Sequence, residues 1–320
     1  DLYYNRPRNK KHLEDNFDLE EYKDNYNKER FSKYLSKNQK YVTAISFFLL
    51  LFTLVLLFLL YDLGNYYVSL WQSSKITNDV NNLLDVSSVT NPDLYNPSSI
   101  LSNDTDALPT PIDTPPSYSE NREVLSDIKT LREKYQNDDI VGFVQIPGTS
   151  VDEVVVQSDD NEFYLHRDLR KKDNIAGSVF MDFDNSLDEL SQNTVLYGHN
   201  MKNDSKFHAL RSYQDELFFE TNKYITFITP YESTTWEVFS FYPTDINFNY
   251  INTDFYSDDE YEEFLRSINN KSIFFTDAEL SATDKILTLS TCTNITDDTR
   301  YALHAKLIDR SVPTLNISDY

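Results

Sequence analysis

A stretch of twenty uncharged residues, from Val42 to Tyr61, constrains this chain more than any other feature. At a rise of about 1.5 Å per residue, a helix of that length spans about 30 Å, the thickness of a bilayer's hydrocarbon core. A cleaved signal peptide is the alternative, but its apolar region is usually about 7 to 15 residues long. A charged tail of 41 residues also precedes this segment. We therefore predict an uncleaved transmembrane anchor at 42–61.

The charges beside this segment predict its orientation. Residues 28–41 carry five Lys or Arg and one Glu, whereas residues 62–77 carry one Asp and one Lys. Basic residues accumulate on the cytoplasmic side of a membrane. We expect a single-pass membrane protein with the tail at 1–41 in the cytoplasm and the rest of the chain outside the cell.

Composition excludes several functions for the exported part. The chain has 52 Asp and Glu against 29 Lys and Arg, a net charge of −23, and nucleic-acid partners require a basic surface. The acidity favours solubility or attraction of cationic partners such as exposed amines. One cysteine, Cys292, excludes an internal disulfide and a Cys-rich zinc site. Acidic pairs such as Asp258-Asp259 suit a helix N-terminus. We predict no nucleic-acid partner, no metal and no cofactor.

Composition also divides the chain after the anchor. Residues 87–118 hold six of the eleven prolines among Ser, Asn, Thr and Asp, which is typical of a linker that buries no core. Helix could continue from Tyr66 to Asp85 before this linker begins. The predicted segments are an extracellular stalk at 62–118, an amphipathic N-terminal helix at 119–137, a folded domain at 138–310 and a C-terminal tail at 311–320.

Short apolar runs of strand length recur eight times within the folded domain. They are rich in Val, Ile, Phe, Tyr and Thr, and their connections are too irregular for alternating strands and helices. A mainly β fold is therefore predicted, an eight-stranded and mostly antiparallel barrel with inserted helices. The runs lie at 140–147, 153–157, 177–182, 193–199, 224–229, 235–242, 285–292 and 301–308.

The longest connection between these runs is predicted to be structured. It comprises 42 residues between Tyr242 and Lys285, and a capping box of Ser257 and Glu260 begins an amphipathic helix within it. One or two short helices are also expected between the fourth and fifth runs. Structured insertions on barrels often shape a binding groove.

Cys292 ends the seventh run, so its sulfur is predicted to lie at the rim of the sheet. A buried, inert thiol is the alternative, but an unpaired thiol outside the cell is an oxidation liability and favours a nucleophile. A nucleophilic cysteine needs a nearby base or cation. His199 ends the fourth run in the same way, after Gly198. The other histidines of the exported part are expected to be structural or solvated: His166, His208 and His304.

Arg300 opens the last run, eight residues after Cys292. A turn between the two runs can bring its guanidinium beside the sulfur. Arginine stays protonated and cannot act as the base, but it can hold an oxyanion or a substrate carbonyl by charged hydrogen bonds. The alternative is a surface arginine paired with Asp297 or Asp298.

Together these motifs resemble the sortases, specifically class B. Residues 288–292 (Thr-Leu-Ser-Thr-Cys) are similar to the family signature Thr-Leu-x-Thr-Cys, and residues 197–200 (Tyr-Gly-His-Asn) and Arg300 lie at matching strand ends. The resemblance runs from about Asp138 to Ile308. It implies a membrane-anchored cysteine transpeptidase of Gram-positive bacteria on a sortase-type barrel, with His199, Cys292 and Arg300 as catalytic residues.

The resemblance also implies a groove for a C-terminal sorting signal of the Asn-Pro-x-Thr type. By similarity, its substrate-binding residues are Asn161, Leu165, Tyr250, Ile251, Ser290 and Thr293. The chain departs from the class pattern at two of the groove positions. Ile246 replaces a polar Thr, and Thr293 replaces an acidic residue.

The implied reaction cleaves the sorting signal of a secreted protein through a Cys292 thioester and transfers the protein to an amine. That amine belongs to a peptidoglycan precursor if the enzyme anchors proteins to the cell wall, or to a pilin if it polymerises pili. Two further alternatives stay open: a membrane-tethered cysteine protease, for which water is the acceptor, and a surface module that binds without catalysis.

Overall fold

The structure is a computed structural model that describes residues 19–83, 124–293 and 298–311. The chain divides into two compact units, residues 1–65 and 66–320. The first helix, α1, runs over Leu19–Asn81. Within the described residues it is the one helix long and apolar enough to cross a membrane, by length and composition. The apolar side chains of its 42–61 stretch are exposed, which agrees with the apolar span predicted there.

The last part of α1 belongs to the second unit. Ile76 and Val80 are buried in one hydrophobic cluster with Ile128 and Leu131. The Nδ2 of Asn174 also donates a hydrogen bond of 3.1 Å to the Ser69 carbonyl. Helix does continue beyond residue 61, as expected. The predicted stalk at 62–118 therefore begins with an ordered, packed helix, and its residues 84–118 lie outside the described part.

The described residues form eight strands, which confirms the predicted number, and these close into a barrel in the order β1-β2-β3-β4-β7-β8-β6-β5. The pairs β2·β3 and β4·β7 are parallel and the other six are antiparallel. The strands are β1 Ile140–Gln145, β2 Asp152–Val156, β3 Val179–Met181, β4 Asn193–Tyr197, β5 Tyr224–Ile228, β6 Ser233–Asp245, β7 Ile286–Cys292 and β8 Thr299–Ser311.

Helices cover the barrel on two sides. α2, Ser126–Tyr135, is shorter than the helix expected at 119–137, and residues 119–123 lie outside the described part. It packs over β1 and β2 in the cluster that holds the end of α1. Two 3-10 helices, Phe163–His166 and Phe207–Gln214, and the short α3, Glu216–Thr221, lie in other connections.

The predicted insertion helix is α4, Asp258–Asn270. The Ser257 hydroxyl accepts the N–H of Glu260 at 3.3 Å, as a capping box requires. The Glu260 carboxylate accepts the N–H of Tyr256, one residue before the cap. The buried face of α4, which includes Tyr261 and Leu265, packs against β6 and β7. Strand β7 is consequently buried on both faces until it reaches Cys292, and that residue emerges at the rim.

Candidate functional site

The three residues predicted to be catalytic lie at or next to the ends of three neighbouring strands: His199 two residues after β4, Cys292 as the last residue of β7, and Arg300 as the second residue of β8. β4 and β7 run parallel with Tyr197 beside Ser290, and the Gly198 N–H donates to the Ser290 carbonyl at 3.2 Å. Two further steps along this register bring His199 alongside Cys292. On the other side of β7, the antiparallel register pairs Cys292 with Arg300. Since paired strands lie about 4.8 Å apart, the three residues form one row at the rim of the barrel.

The row lines a single groove with a volume of about 600 Å³. Five of the six residues predicted to bind substrate line it too: Asn161, Leu165, Tyr250, Ile251 and Ser290. The sixth, Thr293, is buried, and its hydroxyl pairs with that of Thr299. The structure therefore places Thr293 beneath the rim rather than on the groove surface.

Ile246, which the resemblance places at a groove position, lines the groove as well. So do six residues that sequence reasoning did not select as binding residues: Phe180, Tyr197, Gly198, Phe248, Asn249 and Thr291. The rings of Phe180 and Tyr197 pack 5.2 Å apart and make one wall apolar. Tyr197 belongs to the Tyr-Gly-His-Asn motif at 197–200, and its place two residues before His199 is the signal that points to it. Phe180 carries no such signal, because a buried Phe on a strand reads as core.

His199 is half-buried, and its ring is neutral at neutral pH. Burial lowers its pKa below the usual value, a hydrogen bond to the Leu165 carbonyl opposes this, and the neighbouring His166 and Lys206 lower it further. The Nε2···O distance to Leu165 is 2.7 Å. A carbonyl only accepts, so Nε2 carries the hydrogen and the neutral ring keeps its basic lone pair on Nδ1.

The turn after His199 is attached to two strands. The Asn200 side chain donates to the Cys292 carbonyl at 2.8 Å, which joins the turn to β7. Lys206 forms a 2.8 Å ion pair with Glu153 of β2, and its backbone N–H donates to the same carboxylate at 3.1 Å. Because both partners of this ion pair are about 5% exposed, the turn has a charged contact shielded from solvent.

Cys292 and Arg300 are both half-buried at the rim. The Arg300 Nη1 donates to the Thr299 carbonyl at 3.0 Å, which orients the guanidinium along the start of β8. Arginine is charged at every physiological pH. The arrangement therefore combines a nucleophile, a neutral imidazole and a permanent cation in one groove.

Tyr250 joins the insertion to the cysteine strand. Its hydroxyl lies 2.8 Å from Ser290 Oγ, and its side chain is buried. Burial raises the pKa of Tyr250; the Ser290 hydrogen bond and the Arg300 charge oppose this, and Cys292 adds to it. The phenol is therefore neutral and lies within electrostatic reach of both Arg300 and Cys292.

Asn161 is held on the opposite wall by a buried carboxylate. Its Nδ2 donates to Asp182 Oδ2 at 3.0 Å, and its Oδ1 accepts the Phe183 N–H at 3.1 Å. The Tyr197 hydroxyl donates to the same Asp182 oxygen at 2.7 Å. Burial and this carboxylate raise the pKa of Tyr197. Asp182 thus orients two groove side chains at once.

The chemistry of the groove is that of a thiol, an imidazole and a guanidinium. In the described part of the chain, no three His, Cys, Asp or Glu side chains are grouped so that they could hold a metal ion. Such a set of groups supports acyl transfer through a thioester, in which sulfur attacks a carbonyl, imidazole moves protons and guanidinium stabilises the oxyanion.

Comparison with known proteins agrees with this geometry. The Sortase domain family matches residues 144–308. The chain is 34% identical over 214 residues to sortase B of Staphylococcus aureus, covering 60% of this chain and 88% of that protein. It is 35% identical over 195 residues to sortase B of Listeria monocytogenes, covering 59% and 77%. The structure of a Staphylococcus aureus sortase B–substrate complex superposes with a TM-score of 0.55 at 36% identity, covering 58% and 87%. The chain therefore belongs to the sortase family of cysteine transpeptidases, and within it to class B.

Proposed function

We propose that this chain is a membrane-anchored transpeptidase that cleaves an Asn-Pro-x-Thr-like sorting signal and joins the secreted protein to an amine of the cell wall. The observation that carries the proposal is the row of His199, Cys292 and Arg300 across three paired strands in one groove. The five predicted binding residues that share this groove support a peptide substrate. The acidic charge of the chain favours an amine acceptor.

In the first step, the sulfur of Cys292 attacks the Thr carbonyl carbon of the signal, and the thiol proton passes to His199. The lowered pKa of His199 supports this direction, because the resting imidazole is neutral and able to accept. The oxyanion forms beside Arg300. When it collapses, the C–N bond breaks, His199 protonates the leaving amine, and a thioester remains.

In the second step, an acceptor amine attacks the thioester carbonyl. His199 takes a proton from this amine, the C–S bond breaks, and the proton returns to the sulfur. Atoms balance over the two steps, since one amide is exchanged for another. Water in place of the amine would give hydrolysis.

Mass spectrometry of the full chain in detergent tests this reaction. With an Asn-Pro-x-Thr peptide we expect a covalent adduct on Cys292 that a glycine amine resolves. Cys292→Ala and His199→Ala should abolish the adduct. His208→Ala is the matched control, because that ring pairs with Asp204 at 3.0 Å rather than lining the groove, and it should keep the adduct. Loss in His208→Ala with survival in His199→Ala would contradict the roles assigned. If the hydrolysed peptide is the only product at high amine concentration, the enzyme would be a protease.

The location of the enzyme rests on the apolar part of α1. Positive charges before residues 42–61 support a cytoplasmic tail and an extracellular groove. The single cysteine offers a direct test, since a membrane-impermeant maleimide added to intact cells should label Cys292. Cys292→Ala is the unlabelled control. Labelling that requires cell lysis would place the groove in the cytoplasm.

A further inference from the structure

We propose that a buried chain of hydrogen bonds through Tyr242, His304, Thr288 and Asn193 positions the groove wall at Tyr250–Asn252 and thereby sets affinity for the sorting signal. The inference rests on the proposed function, and it assigns roles to four side chains behind the groove. None of the four lines the groove itself. They act through Asn193, which contacts the wall.

The wall depends on Asn193 for its position. This residue begins β4, and its Nδ2 donates to the Tyr250 carbonyl at 3.3 Å and to the Asn252 carbonyl at 2.9 Å. The two carbonyls flank Ile251, a predicted binding residue. The wall segment lies outside the regular helices and strands. The hydrogen bonds from the Asn193 side chain therefore fix the position of Ile251, as backbone hydrogen bonds do for a residue within a strand.

Asn193 is oriented in turn by the barrel interior. Its Oδ1 accepts a hydrogen bond from the Thr288 hydroxyl, and the two oxygens are 2.7 Å apart. A hydroxyl has one hydrogen, so the 2.8 Å contact between Thr288 Oγ1 and His304 Nδ1 requires Nδ1–H to be the donor. The neutral ring then accepts at Nε2, where the Tyr242 hydroxyl donates at 2.8 Å. Every donor in this chain of hydrogen bonds consequently points towards the wall.

Burial makes this direction unambiguous. The side chains of Asn193, Thr288, His304 and Tyr242 are at most 1% exposed. Burial also lowers the pKa of His304 to about 3, which keeps the ring neutral. Water cannot replace a lost partner at such depth, so loss of one hydroxyl leaves its neighbour unsatisfied.

Tyr250 shows why the effect reaches substrate binding. Its carbonyl is held by Asn193, its hydroxyl lies 2.8 Å from Ser290, and its ring meets the His304 ring edge-on at 6.4 Å. A shift of Asn193 therefore moves a binding residue without moving His199, Cys292 or Arg300. Such a change should appear in KM more than in kcat.

The test uses the full chain in detergent with a fluorogenic Asn-Pro-x-Thr peptide. Thr288→Val keeps shape and removes the hydroxyl that joins His304 to Asn193; we expect KM to rise about tenfold while kcat stays within about twofold. Thr288→Ser keeps the hydroxyl and should restore KM. Thr194→Val is the matched control, because Thr194 is equally buried and its hydroxyl has no hydrogen-bond partner among the described residues.

A normal KM in Thr288→Val, or an equal rise in Thr194→Val, would overturn the proposal. If Thr288→Val does not fold, Tyr242→Phe decides, since it removes only the donor at the far end of the chain. We expect a KM increase of about two- to fivefold there, and a normal KM would again overturn the proposal. Absence of a thioester in the wild-type chain would instead refute the proposed function, so the two failures are distinguishable.

Discussion

The ion pair between Glu153 and Lys206 should control both the stability of the barrel and the position of His199. Its atoms are 2.8 Å apart, and the two side chains are 5% and 6% exposed. Lys206→Met would leave a carboxylate in the interior whose remaining hydrogen-bond partner, among the described residues, is the backbone N–H of residue 206. Glu153→Gln would remove the carboxylate that pairs with the buried Lys206 ammonium.

The structure sets the size of the effect. Removing one partner of a buried ion pair costs about 3–5 kcal/mol, because the other charge stays desolvated. For a domain of this size each kcal/mol lowers Tm by about 2–4 °C, so each single variant should unfold about 6–20 °C earlier. The double variant, Glu153→Gln with Lys206→Met, contains no unpaired charge and should cost less than either single change.

The assay compares the four proteins by thermal unfolding and by the rate of thioester formation well below Tm. A fragment that starts at Tyr66, where the second compact unit begins, is the material of choice. Both single variants should acylate more slowly because the turn after His199 loses its attachment to β2. Costs that simply add in the double variant, or single variants with normal acylation rates, would refute the reasoning.

Three other predictions address Arg300, His304 and α1. Arg300→Lys should resemble Arg300→Ala, each losing about 10²–10³ in acylation rate, because a lysine lacks the planar fork; a normal rate in the lysine variant would show that charge suffices. The pKa of His304 is about 3 when folded and 6.5 when unfolded, so the unfolded state binds the extra proton between these values. Stability should fall by about 1.4 kcal/mol per pH unit as pH decreases through that window, and urea titrations of His304→Gln should lack this slope. Deleting residues 1–62 should leave an active domain, whereas deleting 1–83 removes the buried Ile76 and Val80 and should cost about 3–6 kcal/mol in urea unfolding; equal stability of the two fragments would contradict their packing role.

The local features of this fold could be predicted because each is contained in a short run of residues. Eight β-rich runs predicted eight strands, and the Ser257 capping box predicted the start of α4. His199, Cys292 and Arg300 were selected because each lies at an end of such a run. Which strands pair with one another, by contrast, cannot be predicted from any single run. The parallel contact of β4 with β7, which places His199 beside Cys292, joins strands about 90 residues apart.

The extent of the folded part is harder to predict from sequence where burial depends on a distant partner. The stretch from Tyr66 to Asn81 reads as half polar, and Ile76 and Val80 are buried because they join a hydrophobic cluster with α2 and the barrel strands. The surroundings of Thr293 depend on a residue outside its own run in the same way. The resemblance to class B sortases places it in the groove, whereas its hydroxyl pairs with that of Thr299 in β8.

The polar residues that position the site were the least predictable, and their physics explains this. Glu153, Lys206 and Asn193 read from sequence as ordinary polar residues, and each gains a role only when folding removes water from it. Inside the barrel a hydrogen bond or an ion pair has no competitor, so its partner becomes obligatory. The regular strands bring the reacting residues to one rim, whereas the turn at His199 and the wall at Tyr250 lie beyond the strand ladders. Their geometry is therefore set by buried polar contacts between residues 53 to 95 positions apart in the chain.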